Sequence, residues 1–572
     1  MLENEKVDNR TFMSAANYLG RKYQMHAGYI YNKMSKGENG GIVDNFWIRD
    51  TTVGSREIDV RLKDASTLIK KNTVFLDQTY RIPFNFIRKI QDRKVLKKEN
   101  AYRDSVLAAG DSTAILAMED MLAQKQAARE EKTADTLDTD ITTAFIGHTS
   151  EYSTYRKIYK DNIGLNDTEA RNLYHDNFYI NPTKSADSLR VMKFENKVFI
   201  KLQPWASDAI VSSLNVGIGD KLLNYYMFTP ESYIFTKGGN TVWNSMYLYG
   251  GAKGQFRNYF HWDADGYYTF LGKEINDFGI NANAGFNIYP FRRFRKSPMS
   301  FNVHFGTSLD EPEYYQQHYY SNHYRWDNDF SKISRTELQG SISIPHWKLD
   351  LSAGWTLMKN HIYYDGLAMA RQSSSAVSVL DVALTKNFKL WGLHFDNQAL
   401  LQISSDENVI PLPLVALNAR WYWQFNVVKN VMQMQLGANV TYTTKWYAPG
   451  YSPALGMFYN QKVEKYGNCP YIDAFVNIQW KRACIFVKVV NVGMGWPMDR
   501  ADYFSAHGYI RPQRALKLGI FWPFYMQPSR NKSVGNAGGG SGSSSSGSSG
   551  LGSGMSGLGG FGSGRQSSQA GF

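Results

Sequence analysis

Long stretches in which apolar and polar residues alternate are the feature that most limits how this chain can fold. Between residues 278 and 288, every even position holds Phe, Ile or Ala, and every odd position holds Gly or Asn. Successive side chains of a β-strand point to opposite faces, so this stretch predicts a strand with one apolar and one polar face. The same alternation recurs at 349–357, 434–442, 472–480 and 516–524.

Two further properties favour a membrane barrel over a soluble sandwich, whose strands also alternate. The stretches span about 10 residues, which crosses a bilayer when the strand is tilted, whereas soluble strands average about five or six. Their connections alternate in length: tight turns at 428–430 and 481–482 are each followed by a long connection, at 444–468 and 491–512. Outer-membrane barrels have this asymmetry, with short periplasmic turns and long external loops. The sequence therefore predicts an all-β fold, a large antiparallel transmembrane β-barrel with roughly 18–20 recognisable strands.

The chain divides into four segments by composition. Residues 1–87 hold the first barrel strands and the first external loop, and residues 137–528 hold the main β-barrel. Residues 88–136 are charged and Ala-rich, and Ser112–Arg129 within them has helical spacing. The strand count places this small helical insertion on the periplasmic side, either folded into the lumen as a partial plug or exposed at the surface. Residues 529–572 are almost all Gly and Ser, which predicts a disordered tail.

The N-terminal residues lack a segment that an outer-membrane protein needs. Residues 1–6 are charged and have no apolar core, so they do not form a signal peptide. The first candidate strand, Thr11–Leu19, would run from outside to inside, although bacterial barrels close with an even number of strands. We therefore expect an N-terminally truncated chain that lacks a signal peptide and at least one strand.

Composition argues against several other classes of protein. Aromatic residues make up 15% of the chain, which suits the aromatic girdles of a membrane barrel, and no apolar run approaches the ~20 residues of a membrane helix. The net charge of +13 is spread along the chain without a nucleic-acid-binding motif, so we expect no nucleic-acid partner. Two cysteines give no disulfide framework. The strand register would set Cys484 opposite a residue near Gln479, so we expect Cys469 and Cys484 to be unpaired.

Several stretches resemble a known family. Over most of residues 11–525 the chain resembles the Putative porin family of Bacteroidetes outer membranes. The resemblance implies a porin-like protein in the cell outer membrane, and it carries over no catalytic or binding residue. The stretches that carry it are Tyr18–Tyr31, Glu38–Ile42, Phe75–Pro83, Tyr509–Pro512 and Arg514–Trp522.

Two motifs could bind a ligand. Residues 263–266 read Asp-Ala-Asp-Gly and open like a calcium loop, with Glu274 at position 12, but the Gly is misplaced and the stretch also fits a strand pair. His318 and His323 lie among six aromatic residues between 314 and 326. That loop predicts an external aromatic loop and interface belt or, alternatively, a glycan or ligand platform. No nucleophile elbow, phosphate loop or dinucleotide fingerprint occurs, so we expect no enzyme, no cofactor and no metal.

The polar faces of the predicted strands would line the lumen. A barrel of about twenty strands leaves a water channel, so we expect passive diffusion of small polar solutes across the lipid bilayer of the outer membrane, with weak ion selectivity. Two alternatives are a non-conducting barrel that anchors periplasmic or envelope proteins, and an outer-membrane enzyme. The predicted pore-lining residues are Asn281, Asn283, Asn287, Asp350, Ser352, Asp396, Gln398, Gln435, Asn439, Asp473, Asn477, Gln479 and Lys517.

Overall fold

One large antiparallel sheet makes up most of the protein. In the computed structural model of the chain, the described residues are 2–20, 22–48, 53–54, 56–83, 86–109, 118–125, 143–203, 209–228, 238–290, 297–494 and 503–522. Nineteen strands of these residues form a single sheet. This confirms the predicted all-β class and the predicted number of strands.

The sheet strands follow one another in chain order, and four small hairpins lie in the connections between them. The first ten strands are β1 (Val7–Leu19), β2 (Tyr23–Glu38), β3 (Ala65–Pro83), β4 (Thr143–Asn162), β5 (Lys184–Gln203), β6 (Ser213–Phe228), β7 (Gly238–Phe256), β8 (Phe260–Gly272), β9 (Phe278–Ile288) and β10 (Met299–Asp310). The next are β11 (His318–Tyr320), β12 (Arg325–Asp327), β13 (Ile333–Ile344), β14 (Leu349–Lys359), β15 (Ile362–Tyr364), β16 (Ala370–Gln372), β17 (Val377–Leu390), β18 (Leu393–Ser404) and β19 (Val415–Val428). The last are β20 (Met432–Thr443), β21 (Gly450–Ser452), β22 (Met457–Tyr459), β23 (Tyr471–Trp480), β24 (Ala483–Val490), β25 (Phe504–Ala506), β26 (Tyr509–Ile510) and β27 (Ala515–Phe521).

Every sheet strand pairs antiparallel with its neighbours in this order. Where a hairpin intervenes, the sheet skips it, so that β10 pairs with β13, β14 with β17, β20 with β23 and β24 with β27. All four hairpins lie in long connections at one edge of the sheet, and the connections at the other edge include tight turns. Trp391 and Lys481 make two of these turns with left-handed backbone, at φ 52° and 50°. The alternation of short and long connections is confirmed.

The apolar faces of the strands are exposed rather than packed. Phe286, Leu436 and Leu518 expose 47%, 51% and 70% of their surfaces, and the other sheets of the described residues are only two-stranded, too small to cover them. Apolar surface of this extent is unfavourable in water and favourable against hydrocarbon. A single sheet with an oily outer face is the arrangement that a membrane barrel requires.

Tryptophan residues mark one edge of this apolar face. They lie at or near the short turns, and each exposes half or more of its surface. The amphipathic indole ring is favoured at the boundary between lipid and water, where barrels carry aromatic girdles. These residues are Trp347, Trp391, Trp423, Trp480 and Trp522.

The connection between β3 and β4 contains a helix at Phe86–Ala109. It begins upstream of the predicted helix Ser112–Arg129, of which residues 118–125 are helical and the rest lies outside the described residues. The predicted tail at 529–572 also lies outside them, and the segment boundaries stay predictions. None of the described helices is long and apolar enough to cross a membrane.

The register of β23 and β24 fixes the position of one cysteine. Cys484 lies opposite Gln479, as the sequence predicts. Cys469 precedes β23, and no disulfide joins the two residues.

Candidate functional site: a loop lid over a polar lumen

The polar face of the sheet contains all thirteen predicted pore-lining residues. Each lies on a sheet strand, in β9, β14, β18, β20, β23 or β27, at a position that alternates with the apolar residues of the outer face. The structure thus places them on the inner side of the sheet. Their role in conducting a solute stays a prediction.

A hydrogen-bonded ladder runs across four neighbouring strands of this inner face. Asn283 donates to Asp263 on β8 at 2.7 Å, and its side-chain oxygen meets Nδ1 of His304 on β10 at 2.8 Å. The other ring nitrogen of His304 lies 2.9 Å from Glu337 on β13. Polar side chains in a dry core would be costly unless all were paired, whereas these are only partly buried. Only Asn283 of this ladder is a predicted pore-lining residue.

Two further groups of inner-face residues come together near the end of the sheet. Gln435 accepts a hydrogen bond from Asn477 at 3.2 Å and donates to Gln424 on β19 at 3.0 Å. Asp473 forms an ion pair with Lys488 on β24 at 2.6 Å. Other predicted residues have separate partners: Asn281 donates to Asp265, Asn287 donates to the Asn258 carbonyl, and Asp350 accepts from Ser343.

The sequence contained a signal for the inner-face residues that the prediction missed. His304 alternates with Phe301, Val303 and Phe305 on β10 in the same way as the predicted residues alternate on β9. On β5, Lys193, Glu195, Lys197 and Lys201 alternate with Phe194, Val198 and Ile200, which are exposed. The period of two was present in both strands, but charged residues and Lys-rich composition obscured it.

The long connections fold into a compact body that we call the loop lid. It comprises the described residues of 39–64, 163–183, 311–332, 360–376, 444–470 and 491–514, with the strand ends that they touch. Two clusters of buried side chains hold it together. The first joins Tyr159 and Tyr225 of the sheet to Tyr315, Trp326 and Leu455 of the loops, and the second gathers Ile42, Ile58, Tyr466, Tyr503 and Phe504.

Hydrogen bonds of the loop lid join opposite sides of the sheet. The buried ammonium of Lys157 on β4 donates to the carbonyl of Ala454, in the connection between β20 and β23, at 2.8 Å. In the strand order, β4 and β20 are twelve positions apart out of nineteen. The hydroxyl of Tyr315, which follows β10, shares its one proton between the carbonyls of Arg190 on β5 and Tyr226 on β6, each 3.0 Å away. The loops therefore cross the mouth of the barrel instead of extending into the medium.

The tip of the β11–β12 hairpin is fixed to the β4–β5 connection by Asn322, which is 1% exposed. Its side-chain oxygen accepts from the backbone of Ile180 at 2.9 Å and Asn181 at 3.0 Å, and its amide donates to the Asn181 carbonyl at 2.9 Å and Ser185 Oγ at 2.8 Å. Its own backbone N–H donates to Asp187 at 2.9 Å. We call Asn322 and His323, with these partners, the latch.

His323 completes the latch in a fully buried position. Nδ1 lies 3.0 Å from the Asn177 carbonyl and Nε2 lies 2.7 Å from Ser185 Oγ, so the neutral ring donates from Nδ1 and accepts at Nε2. The ring stacks on Tyr174 with centroids 3.8 Å apart. Burial lowers the pKa of His323 to about 4. The Ser185–His323 pair has the spacing of a nucleophile and a base, but both residues are buried beneath aromatic rings, so it serves as a structural contact.

The Asn-Gly-Gly sequence at 39–41 has a defined position in the loop lid. Gly40 and Gly41 have left-handed backbone, with φ of 66° and 87°, and Asn39 accepts a hydrogen bond from the Gly41 N–H at 3.0 Å. A Cβ on Gly41 would lie 2.8 Å from the carbonyl oxygen of Gly508. Glycine is therefore required here both for conformation and for close approach of two loops.

The structure decides between two readings that the sequence left open, and it corrects one expectation. Asp263 and Asp265 lie on β8 and accept hydrogen bonds from Asn283 and Asn281, so residues 263–266 form part of a strand pair and not a calcium loop. The aromatic residues around His318 and His323 were expected to form an external loop and interface belt. Most of them instead point into the loop lid, because burying Tyr315, Tyr319, Tyr324 and Trp326 gives the lid its core.

The fold and its inner face define the class of protein. Solved outer-membrane receptors share the fold: a structure entitled "Structure of the FpvAI-pyocin S2 complex" matches with TM-score 0.51 and 10% identity, over 91% of this chain and 66% of that chain. A ferric enterobactin receptor, PfeA, from Pseudomonas aeruginosa matches with TM-score 0.51 and 11% identity, over 91% and 70%. The copper transporter OprC matches with TM-score 0.50 and 8% identity, over 90% and 71%. This chain is an outer-membrane β-barrel protein.

The family follows from the sequence itself. The model of the family described as "Putative porin" matches residues 1–526, so the chain belongs to that family. No curated protein matches the chain. The solved barrels span more residues than this chain, and at such low identity the likeness extends to the fold alone.

Proposed function

We propose that this protein is a channel for small polar solutes across the outer membrane, and that the loop lid restricts its outer mouth. The observation that carries the proposal is the polar inner face, on which side chains such as His304 and Gln435 hydrogen-bond to neighbours without forming a packed core. A closed barrel of nineteen strands spaced ~4.8 Å apart and tilted ~40° is about 35–40 Å across between backbones. A width of this size leaves room for water inside the ring of side chains. The proposal makes the protein a passage for solutes rather than an enzyme.

The loop lid determines how such a channel would behave. Because its loops cross the mouth and bury aromatic residues there, a solute passes only through gaps between loops or after part of the lid opens. The contacts that hold the lid closed are made between loops, so opening part of the lid costs less free energy than unfolding the sheet. We therefore expect small conductance in the latched state and larger steps when the lid opens.

Planar bilayer recording tests this proposal directly. Full-length, folded protein should give stepwise conductance, with brief large openings above a small resting level. The matched variant Asn322→Ala, which loses the side-chain bonds of the latch, should spend more time in the large state. Silence from both proteins, in samples whose folding is verified by circular dichroism, would contradict a channel.

A role as an anchor for envelope proteins is a second proposal, favoured by one observation. The helix Phe86–Ala109 lies at the short-turn edge and exposes Leu96, Tyr102 and Leu107 by about half of each side chain. Exposed apolar groups on a charged helix offer a contact surface to another protein. Leu96→Glu with Leu107→Glu should remove a bound envelope protein in a pull-down without changing conductance. Retention of every bound protein by the double variant would contradict the anchor.

A further inference from the structure

Two groups of opposite charge lie near each other where the sheet meets the loop lid. Lys157 is on β4 and Asp187 is on β5, and Tyr159 lies directly opposite Asp187 in the register of these strands. Lys157 is two residues from Tyr159 on the same face, so Lys157 and Asp187 are diagonal neighbours on the inner side of the sheet. A long side chain can reach a partner at such a diagonal position.

The closed lid holds these two groups apart, because each is bonded to a different loop. The ammonium of Lys157, which is 6% exposed, donates to the carbonyl of Ala454 at 2.8 Å. Asp187 Oδ1 accepts from the backbone N–H of Asn322 at 2.9 Å, whereas Oδ2 is buried and has no hydrogen-bond partner among the described residues. Both side chains line one small cavity, together with Ser321 and Ala454.

This arrangement is unfavourable for both charges. A backbone carbonyl accepts a hydrogen bond from Lys157 but does not neutralise its charge, and two of the three ammonium N–H groups need other partners. A buried charge without a counterion and a buried oxygen without a donor both reduce the stability of the state that contains them. Closing the lid therefore separates two charges that would stabilise each other as a pair.

The other charged groups near Lys157 already form a pair. Glu38 and Lys36 lie close enough to act electrostatically on Lys157. Glu38 is on β2, with β3 between it and β4, and it forms an ion pair with Lys36 at 3.1 Å. Asp187 is thus the acid that Lys157 can pair with once Ala454 moves away.

We propose that closing the lid splits an ion pair between Lys157 and Asp187, and that this pair forms again when the lid opens. Opening releases Lys157 from Ala454 and Asp187 from Asn322, and both side chains stay on neighbouring strands of the sheet. The new pair offsets part of what the lid loses, so the open lid is a second favourable state. The inference extends the lid opening proposed above, and its test needs no conductance.

Neutral replacement of Asp187 tests the inference through the sign of its effect. In Asp187→Asn, the side-chain oxygen can still accept from the Asn322 N–H, but the open state loses its ion pair, so the lid should open less. Hydrogen exchange at the amides of Ile180 and Asn181, which donate to the Asn322 side chain, should slow by about threefold. If Asp187 served only to bond the closed lid, the same variant would open more and these amides would exchange faster.

Lys157→Gln is the reciprocal variant. It keeps a side-chain N–H for Ala454 and removes the positive charge, so it should also slow exchange at the two amides. The double variant should be no slower than either single variant, because the first replacement already removes the pair. The control variant Asp329→Asn removes a negative charge from an exposed position in the lid and should leave these exchange rates unchanged.

The outcomes decide the inference without reference to the channel. Faster or unchanged exchange in Asp187→Asn would overturn it, and so would additive effects in the double variant. If Asp187→Asn does not fold, faster or unchanged exchange in Lys157→Gln has the same consequence. None of these results bears on conductance, which the bilayer recording measures separately.

Discussion

Replacing Asn322 by Ala should open the latch without disturbing the barrel. The side chain makes four hydrogen bonds of 2.8–3.0 Å to residues 180–185 and is 1% exposed. Each such bond contributes ~1 kcal/mol, and a buried group left without a partner costs ~1–3 kcal/mol. Because the partners regain water when the loop opens, we expect the latched state to lose about 3 kcal/mol. Since 1.4 kcal/mol is a factor of ten, the open population should rise roughly 100-fold.

Hydrogen exchange at single amides measures this opening. The amides of Ile180 and Asn181 donate to the Asn322 side chain, and the amide of Tyr179 donates to its carbonyl at 2.9 Å. All three should exchange roughly 100-fold faster in the variant, under conditions where exchange follows the opening equilibrium. Amides in the middle of β5 should not change, because their partners belong to the sheet.

Asn328→Ala is the matched control for this experiment. Asn328 lies in the same connection, and its side chain donates one long hydrogen bond, of 3.5 Å, to the carbonyl of Ala370. This variant should leave the three amides within about threefold of the unmodified protein, since a single bond at that distance contributes little. Equal exchange rates in the Asn322→Ala variant and the unmodified protein would refute the latch as described.

Three further predictions test other parts of the structure. Burial lowers the pKa of His323 to about 4 in the closed latch, against about 6.5 when the ring is exposed. Between these pH values the open loop binds more protons than the closed one, so the latch should weaken by about 3 kcal/mol in total as the pH falls from 6.5 to 4. Hydrogen exchange of the Asn181 amide should accelerate over this range in the unmodified protein and should not do so in His323→Gln. Leu436→Lys places a charge on the lipid face and should lower the free energy of unfolding by ~2–4 kcal/mol in a urea titration. Gln435→Lys places the same charge on the inner face and should have little effect. Equal losses of unfolding free energy in the two variants would contradict the assignment of faces. Gly41→Ala should cost at least ~1 kcal/mol through its left-handed backbone and its contact with Gly508, and should increase protease cleavage in the lid. Gly164→Ala should do neither, because its added Cβ would meet only Cβ of Asp167, at an ordinary 3.9 Å.

The sheet could be predicted from sequence because each strand carries its own signal. The alternation of Phe, Ile and Ala with Asn and Gly at 278–288 requires no knowledge of neighbours, and the turn at Lys481 follows from two such strands placed close together. The sequence predicted a helical insertion at 88–136 but placed its helix at Ser112–Arg129, because the charged residues of Phe86–Ala109 give only a weak apolar stripe. The face that each residue of the sheet occupies can therefore be predicted largely from the local alternation of apolar and polar residues.

The loop lid could not be predicted in this way, because its contacts join residues far apart in sequence. Asn322 binds groups about 140 positions away, and Lys157 binds Ala454 at a separation of 297 residues. The aromatic residues of the β10–β13 connection have no period that distinguishes a buried cluster from an interface belt. Only the positions of the strand ends, which bring the connections together, decide between the two.

The sheet and the loop lid are therefore stabilised by different kinds of contact. The sheet satisfies its backbone hydrogen bonds strand by strand and presents a polar inner face. The lid depends on a few buried side chains and hydrogen bonds between loops, such as those of Asn322 and Lys157, so it can open locally at a cost of a few kcal/mol while every strand stays paired. In the proposed channel, the lid therefore limits the size of the solute and its rate of entry. Substitutions in the latch should then alter open time while every strand of the sheet stays paired.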